Sequence, residues 1–239
     1  MKVQGGKAIY GASVGILMLE AQFPRIPGDM GNALTWPFPV LYKVVRDASP
    51  ARVVRQGARG LLPAFIDAAR ELVADGADGI TTNCGFLSLF QAELAEAVQV
   101  PVATSSLMQV AMVNALLPRD KVAGILTISA SSLTPEHLRA ANVPPDTPIG
   151  STEGGHEFTR AILGNERDLD VALAEQDNVD AARALITAHP QIGALVLECT
   201  NMLPYAVAIR AATGLPTFSM GSFVTWFQSG LTPPRYPGP

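Results

Sequence analysis

Gly79-Ile80-Thr81-Thr82-Asn83-Cys84 and Gly193-Ala194-Leu195-Val196-Leu197-Glu198-Cys199 decide the fold of this chain. Each is a short apolar or β-branched run that ends on a cysteine, and the 239 residues hold no other cysteine. Seventeen positions after each cysteine a proline sits inside a further apolar run: Val100-Pro101-Val102 follows Cys84, and Leu215-Pro216-Thr217 follows Cys199. Upstream, Gly15-Ile16-Leu17 and Gly124-Ile125-Leu126 open matching runs, 69 and 75 positions before their cysteines. Loop insertion accounts for that difference. One long duplication, unlike many short repeats, predicts two similar lobes.

Outward from these runs, short apolar stretches alternate with longer amphipathic ones. Strands are predicted at Val14–Leu19, Ile80–Asn83, Val100–Thr104, Val122–Ile128, Ala194–Glu198 and Pro216–Met220. Helical patterns cover Leu61–Ala74, Phe86–Val98, Leu107–Leu117, Thr134–Ala141, Val171–Ala188, Met202–Ala212 and Phe223–Gln228. Thr134-Pro135-Glu136 supplies an N-cap followed by proline in the first turn. The alternation implies an α/β fold: two pseudo-symmetric lobes, each a parallel sheet flanked by helices, with a cleft between them. The first lobe is expected to span 1–105 plus 216–239, and the second 106–215. Ala21 to Pro39 holds four prolines (Pro24, Pro27, Pro37, Pro39) and is too apolar for a linker, with Phe23, Ile26, Met30, Leu34, Trp36 and Phe38. It reads as an ordered loop, folded over the cleft or packed on the first lobe. Pro233 to Pro239 reads as an extended end.

Composition narrows the function. Hydrophobic residues make up 48% and charged residues 16%, so the chain can fill a core. The net charge of -4 gives no footprint for nucleic acid. No apolar run approaches the roughly 20 residues that span a bilayer, and the amino terminus does not read as a secretory leader. A cytoplasmic setting with free thiols is the expectation, although two cysteines also suit a pair of buried small side chains or one disulfide.

In open parallel sheets, ligands bind beyond the carboxyl ends of the strands. Cys84 and Cys199 each end a strand and precede a helical pattern, where the positive helix end favours a thiolate. Lobes related by a pseudo-twofold axis bring the two sulfurs to opposite sides of a small molecule. If Cys84 takes the proton α to a carboxylate and Cys199 returns one on the other face, the centre inverts. Thr82, Asn83, Gly85, Thr200 and Asn201 flank the thiols, as ligands of the carboxylate and its enolate or as helix caps. Thr127, near the end of the matching second-lobe strand, is expected to face the cleft. Arg25 is a candidate for a distal carboxylate, with Asp29 and Asn32 in the same loop. Glu198 is expected to point away from the cleft by strand alternation, in a structural role. His156, after Gly154-Gly155, is placed either at the site or on the surface, and His137 on the surface. No nucleotide, phosphate-loop or metal-ligand spacing is visible, so neither a cofactor nor a metal is expected.

Thr81-Thr82-Asn83-Cys84-Gly85 and Leu197-Glu198-Cys199-Thr200-Asn201 resemble the two cysteine motifs of the aspartate/glutamate/hydantoin racemase superfamily. The resemblance runs through nearly the whole chain. It implies two similar α/β lobes, a site between them, no cofactor, a cysteine pair acting as acid and base, and a homodimer. Asn201 stands where glutamate racemases often carry histidine, and the first strand lacks their Asp-Ser pair. The expected activity is racemisation or epimerisation of a small carboxylate, an acidic amino acid or a hydantoin-like ring. A maleate-type cis–trans isomerase or a lyase with one nucleophilic cysteine is an alternative. So is a two-lobed binding protein without chemistry.

Overall fold

Val14–Leu19, six consecutive buried residues, forms β1, and a strand buried on both faces must be covered by other elements on each side. In this computed structural model, which describes residues 2–236, it runs beside β2 (Val40–Val45) and β3 (Gly79–Thr82), and β3 beside β4 (Val102–Ala103). The order β2-β1-β3-β4 is parallel throughout. The second half repeats it as β6-β5-β7-β8, with β5 at Val122–Thr127, β6 at Ile149–Ser151, β7 at Ile192–Leu197 and β8 at Thr217–Phe218. The predicted two-lobed α/β architecture is therefore the observed one.

The helices are α1 (Pro50–Val54), α2 (Leu62–Asp75), α3 (Gln91–Val98), α4 (Val110–Leu116), α5 (Pro135–Ala140), α6 (Phe158–Leu163), α7 (Val171–Ala188), α8 (Ala206–Thr213) and α9 (Met220–Leu231). The strands β2 and β6 and the helices α1 and α6 have no counterpart in the sequence prediction. β2 is a half-buried edge strand entered through Pro39, and β6 has only three residues, placed just after Pro148. Neither carries a fully apolar run. α1 and α6 span only five and six residues, below the length at which helical periodicity shows.

The carboxyl-terminal segment divides in a way that corrects the expected return of 216–239 as one block. β8 pairs with β7 and so completes the second sheet. Only α9 crosses back, and Phe223, Val224 and Phe227 join Val14, Ile16 and Met18 of β1 in a core of their own. The crossing depends on Gly79, because a Cβ there would meet the Phe227 ring at 2.6 Å and Leu231 at 2.7 Å. We propose that the lobes divide accordingly, with 217–218 in the second and α9 in the first. Met1 and 237–239, the end of the expected extended tail, lie outside the described residues. Among the described residues no helix is long and apolar enough to cross a membrane.

Phe227→Ala removes the ring that fills the space above Gly79. It is expected to lower unfolding stability by about 3 kcal/mol, read as a shift of the urea midpoint at unchanged slope.

Candidate active site

The first sheet ends at Thr82 and the second at Leu197, and each chain turns away two residues later. The turn is the same in both lobes. Asn83 N donates to Leu17 O at 3.0 Å, and Glu198 N donates to Leu126 O at 2.8 Å. A 3-10 segment follows each cysteine, 85–90 and 200–205, in place of the α-helix predicted to start there. Leu87 N and Met202 N close the two turns on the carbonyls of Cys84 and Cys199, each at 3.0 Å.

The two strand ends meet in one cavity. Pseudo-symmetric pairs line it: Leu19 with Ile128, Asn83 with Glu198, Cys84 with Cys199, and Gly85 with Thr200. Pro50 and Val54 of α1 and Ile162 and Leu163 of α6 close it from the two lobes, with Phe23 from the 21–39 loop. Its volume is about 20 Å³, room for little more than one water. Both cysteines are buried and unpaired, so no disulfide joins them.

Hydrogen bonds lock the lobes together around the cavity. Thr200 Oγ1 donates across to Asn83 O at 2.5 Å, and within the second lobe Ser106 Oγ donates to Leu197 O at 2.5 Å. The 21–39 loop does fold over the cleft. Asn201 Nδ2 donates to Asp29 Oδ2 at 2.5 Å, and Gln22 N donates to Asn165 Oδ1 at 2.6 Å. Asp29 is buried and also holds Arg25 Nη1 at 2.7 Å and Gly31 N at 2.8 Å. Arg25 stacks on Phe23, 4.7 Å above the ring centroid, and its Nη2 is buried without a partner.

The structure brings Asn83, Gly85, Thr200 and Asn201 to the cavity beside the two cysteines, and Arg25 next to it. It withdraws two expected ligands. Thr82 Oγ1 lies 2.6 Å from Thr104 O and 3.0 Å from Cys84 O, so it fastens the turn beneath the thiol. Thr127 Oγ1 donates to Glu198 Oε2 at 2.6 Å. Neither lines the cavity. Asn32 caps the 33–35 turn and donates to Arg25 O, a role inside the loop. His156 is exposed and its backbone N–H goes to Asp177, away from the site. His137 is buried, contrary to expectation: its Nδ1 accepts from Thr134 N and its ring packs edge-on to Phe86, and burial pushes its pKa down.

Glu198 is the residue that alternation misassigned. Beyond Leu197 the strand is over, and the turn swings the side chain inward. The signal that finds it is the duplication, because Glu198 occupies the place of Asn83. Asn83 Oδ1 accepts from the backbone N–H of Leu19 at 2.8 Å, whereas Glu198 is held by the side-chain hydroxyl of Thr127, also on the neighbouring strand. Burial pushes the Glu198 carboxyl up to about 7 against the lowering effect of the Thr127 hydroxyl. Both thiols are also pushed up, first by burial and next by the Glu198 charge. The backbone N–H groups of Phe86 and Leu87 beside Cys84, and of Asn201 beside Cys199, pull the other way and lose. The expected helix-end thiolate is thus corrected. In the closed cavity desolvation wins, and burial favours the thiol form of both cysteines.

No family model matches the chain. Among curated proteins it is 34% identical to dimethylsulfoniopropionate lyase 3 of Emiliania huxleyi over 223 residues, 86% of this chain and 56% of that protein. It is 32% identical to dimethylsulfoniopropionate lyase 7 of the same organism over 237 residues, 92% of this chain and 67% of that one. A dimethylsulfoniopropionate lyase of Durusdinium is 28% identical, across 94% of this chain and 77% of its own length. The chain thus spans between about half and three quarters of these relatives. Among solved structures, arylmalonate decarboxylase superposes with a TM-score of 0.61 at 15% identity, across 93% of this chain and 94% of that one. Allantoin racemase from Pseudomonas fluorescens superposes at 0.54 and 12% identity, covering 94% and 100%. The chain shares the fold of arylmalonate decarboxylase and of allantoin racemase. By sequence the chain belongs to the family of the dimethylsulfoniopropionate lyases.

Glu198 carries a proton in the folded chain that the unfolded chain has already lost between its ordinary 4.5 and about 7. Its contribution to stability is present below that window and disappears as pH rises through 7. Glu198→Gln removes this dependence. In urea titrations the wild type is expected to lose roughly 2 to 3 kcal/mol relative to the variant between pH 5 and pH 8.

Proposed function

We propose that this chain is a cofactor-independent lyase. A cavity cysteine removes the proton α to the carboxylate of a small sulfonium-bearing acid, and a thioether leaves from the β-carbon. The observation that carries this reading is the joint presence of Cys84, Cys199 and Glu198 on one small cavity in a chain related to dimethylsulfoniopropionate lyases.

The chemistry balances without a redox partner. The α-proton passes to a thiolate, and its electron pair becomes the Cα–Cβ double bond. The Cβ–S bond breaks, and its pair stays on sulfur, which leaves as a neutral thioether. An unsaturated acid remains. The α-proton is weakly acidic, so the enolate must be stabilised as it forms. Arg25 Nη2, a buried guanidinium N–H with no partner, and Asn201 beside Cys199 supply donors for a carboxylate. Burial favours the thiol form of both cysteines, but a cation brought in with the substrate favours their ionised form. A multi-carbon acid exceeds the cavity volume, so binding must part α1 from α6 or lift Phe23.

A second reading has a specific observation in its favour. Both cysteines survive, on opposite lobes of one cavity, as two-base inversion of an α-carbon requires. Racemisation or epimerisation of a small carboxylate therefore stands beside elimination. Both begin with the same proton transfer and differ only in whether the β-carbon holds a leaving group.

Purified protein given dimethylsulfoniopropionate is expected to release dimethyl sulfide into the headspace, measured by gas chromatography. Cys84→Ser and Cys199→Ser test the two thiols, and the one that acts as base should cost about 10³-fold in kcat/KM. In deuterated water, α-deuteration of carboxylates that lack a leaving group, without thioether release from any sulfonium acid, favours inversion. Full elimination activity in both serine variants removes the cysteines from either mechanism.

A further inference from the structure

Glu198 has one oxygen accounted for and one not. Oε2 accepts from Thr127, while Oε1 is buried in the cavity wall without a partner. Gly85 lies directly against Oε1, so that any side chain at 85 would collide with the carboxylate. The groups around it come from both lobes: Asn83 and Cys84 at the end of β3, and Cys199 and Thr200 after β7. None of them is a cation, and no lysine or arginine lines the cavity among the described residues. The nearest guanidinium, Arg25, is already matched by Asp29. Once Glu198 ionises, the cavity therefore carries a negative charge with no counter-ion on its lining among the described residues.

An unpaired buried carboxylate is costly, and a chain that keeps one gains a strong preference for whatever neutralises it. The rest of the wall describes that partner. Leu19, Phe23, Val54, Phe86 and Ile162 offer carbon surface and no hydrogen-bond acceptor. A primary ammonium group would bring three N–H donors and satisfy one on Oε1. A methylated onium brings no donor, and its methyl groups fit an apolar wall. Meanwhile the free Arg25 Nη2 suits the carboxylate of the same molecule.

We propose that Glu198 is the counter-ion of a methylated onium group, which makes the cavity selective for small onium carboxylates over α-amino acids and over neutral acids of the same shape. The carboxylate end of this assignment rests on the lyase reading. The onium end rests on Glu198 and its surroundings alone.

The test compares ligands of one shape by calorimetry: 3-(trimethylammonio)propanoate, its uncharged isostere 4,4-dimethylpentanoate, and 3-aminopropanoate. An amine leaves far less readily than a thioether, so the first measures binding. Wild type is expected to bind the trimethylammonio acid about tenfold or more tighter than either other ligand. Glu198→Gln is expected to reduce the ratio to the neutral isostere to about twofold or less. On the wild type alone, that ratio should grow from pH 5 to pH 8 as Glu198 loses its proton. The other ionisable groups at the cavity, Cys84 and Cys199, are held above this range, and Asp29 and Arg25 form their own pair. Equal binding of the charged and neutral isosteres by wild type, or no binding of the onium, overturns the proposal. So does a ratio that Glu198→Gln or pH leaves unchanged. Thioether release is scored separately. Onium selectivity without turnover sinks the lyase reading and keeps this one, and turnover with no charge selectivity does the reverse.

Discussion

A carboxylate excluded from water at the seam between two sheets sets the character of this molecule. Glu198 is fully buried, and among the described residues the hydroxyl of Thr127 is the hydrogen-bond partner of its carboxyl. Its negative charge raises both neighbouring thiols, so three acidic groups share a space in which few charges are tolerated together. The closed cavity resolves the conflict by keeping protons on all three until pH approaches 7. A positive ligand of the kind proposed would change that balance, because it permits a negative charge that burial suppresses. Ionisation of the base and occupation of the site are then one event.

The surrounding fold exists to hold that seam shut. Thr200 reaches from the second lobe to the Asn83 carbonyl of the first, Asn201 grips Asp29 in the covering loop, and Ser106 braces the Leu197 carbonyl from within the second lobe. The Thr200 bond joins the two strand-end turns to each other, so each cysteine is positioned by the opposite lobe as well as by its own. The apolar contact of Pro50 and Val54 with the α6 side excludes water from the remaining side. Polar contacts fix register while apolar ones exclude solvent, and the low dielectric that results gives Glu198 its influence.

What was legible in the sequence follows the same physics. Strands buried on both faces read as runs of apolar or β-branched residues, so β1, β3, β5 and β7 were plain, and the duplicated cysteines placed the cleft. The edge strands β2 and β6 were not legible, since half-buried or three-residue strands carry no apolar run. The strand β8 was readable as a strand but not as to its sheet, because it pairs with β7 while the helix that follows it packs on the other lobe. In the site, Thr82 and Thr127 looked like ligands because they are small, polar and next to the strand ends. Both are instead second supports, one under Cys84 and one under Glu198. Glu198 itself was misjudged by extending the two-residue period of a strand past its last residue. Matching it to Asn83 across the repeat would have corrected this, since symmetry constrains side-chain direction where periodicity no longer does.

An ionised Glu198 and the proposed elimination pull in opposite directions on the same substrate. The attraction between carboxylate and sulfonium is greatest before the reaction and vanishes as the thioether departs neutral. Glu198 therefore favours the bound cation over the transition state, which by itself opposes rapid turnover. The same charge strengthens the neighbouring thiolate as a base, and removal of a weakly acidic α-proton needs that strength. The arrangement is coherent if recognition is the scarcer commodity. On that proposal, the glutamate that stands where the first repeat carries Asn83 is what turns the cavity toward cations.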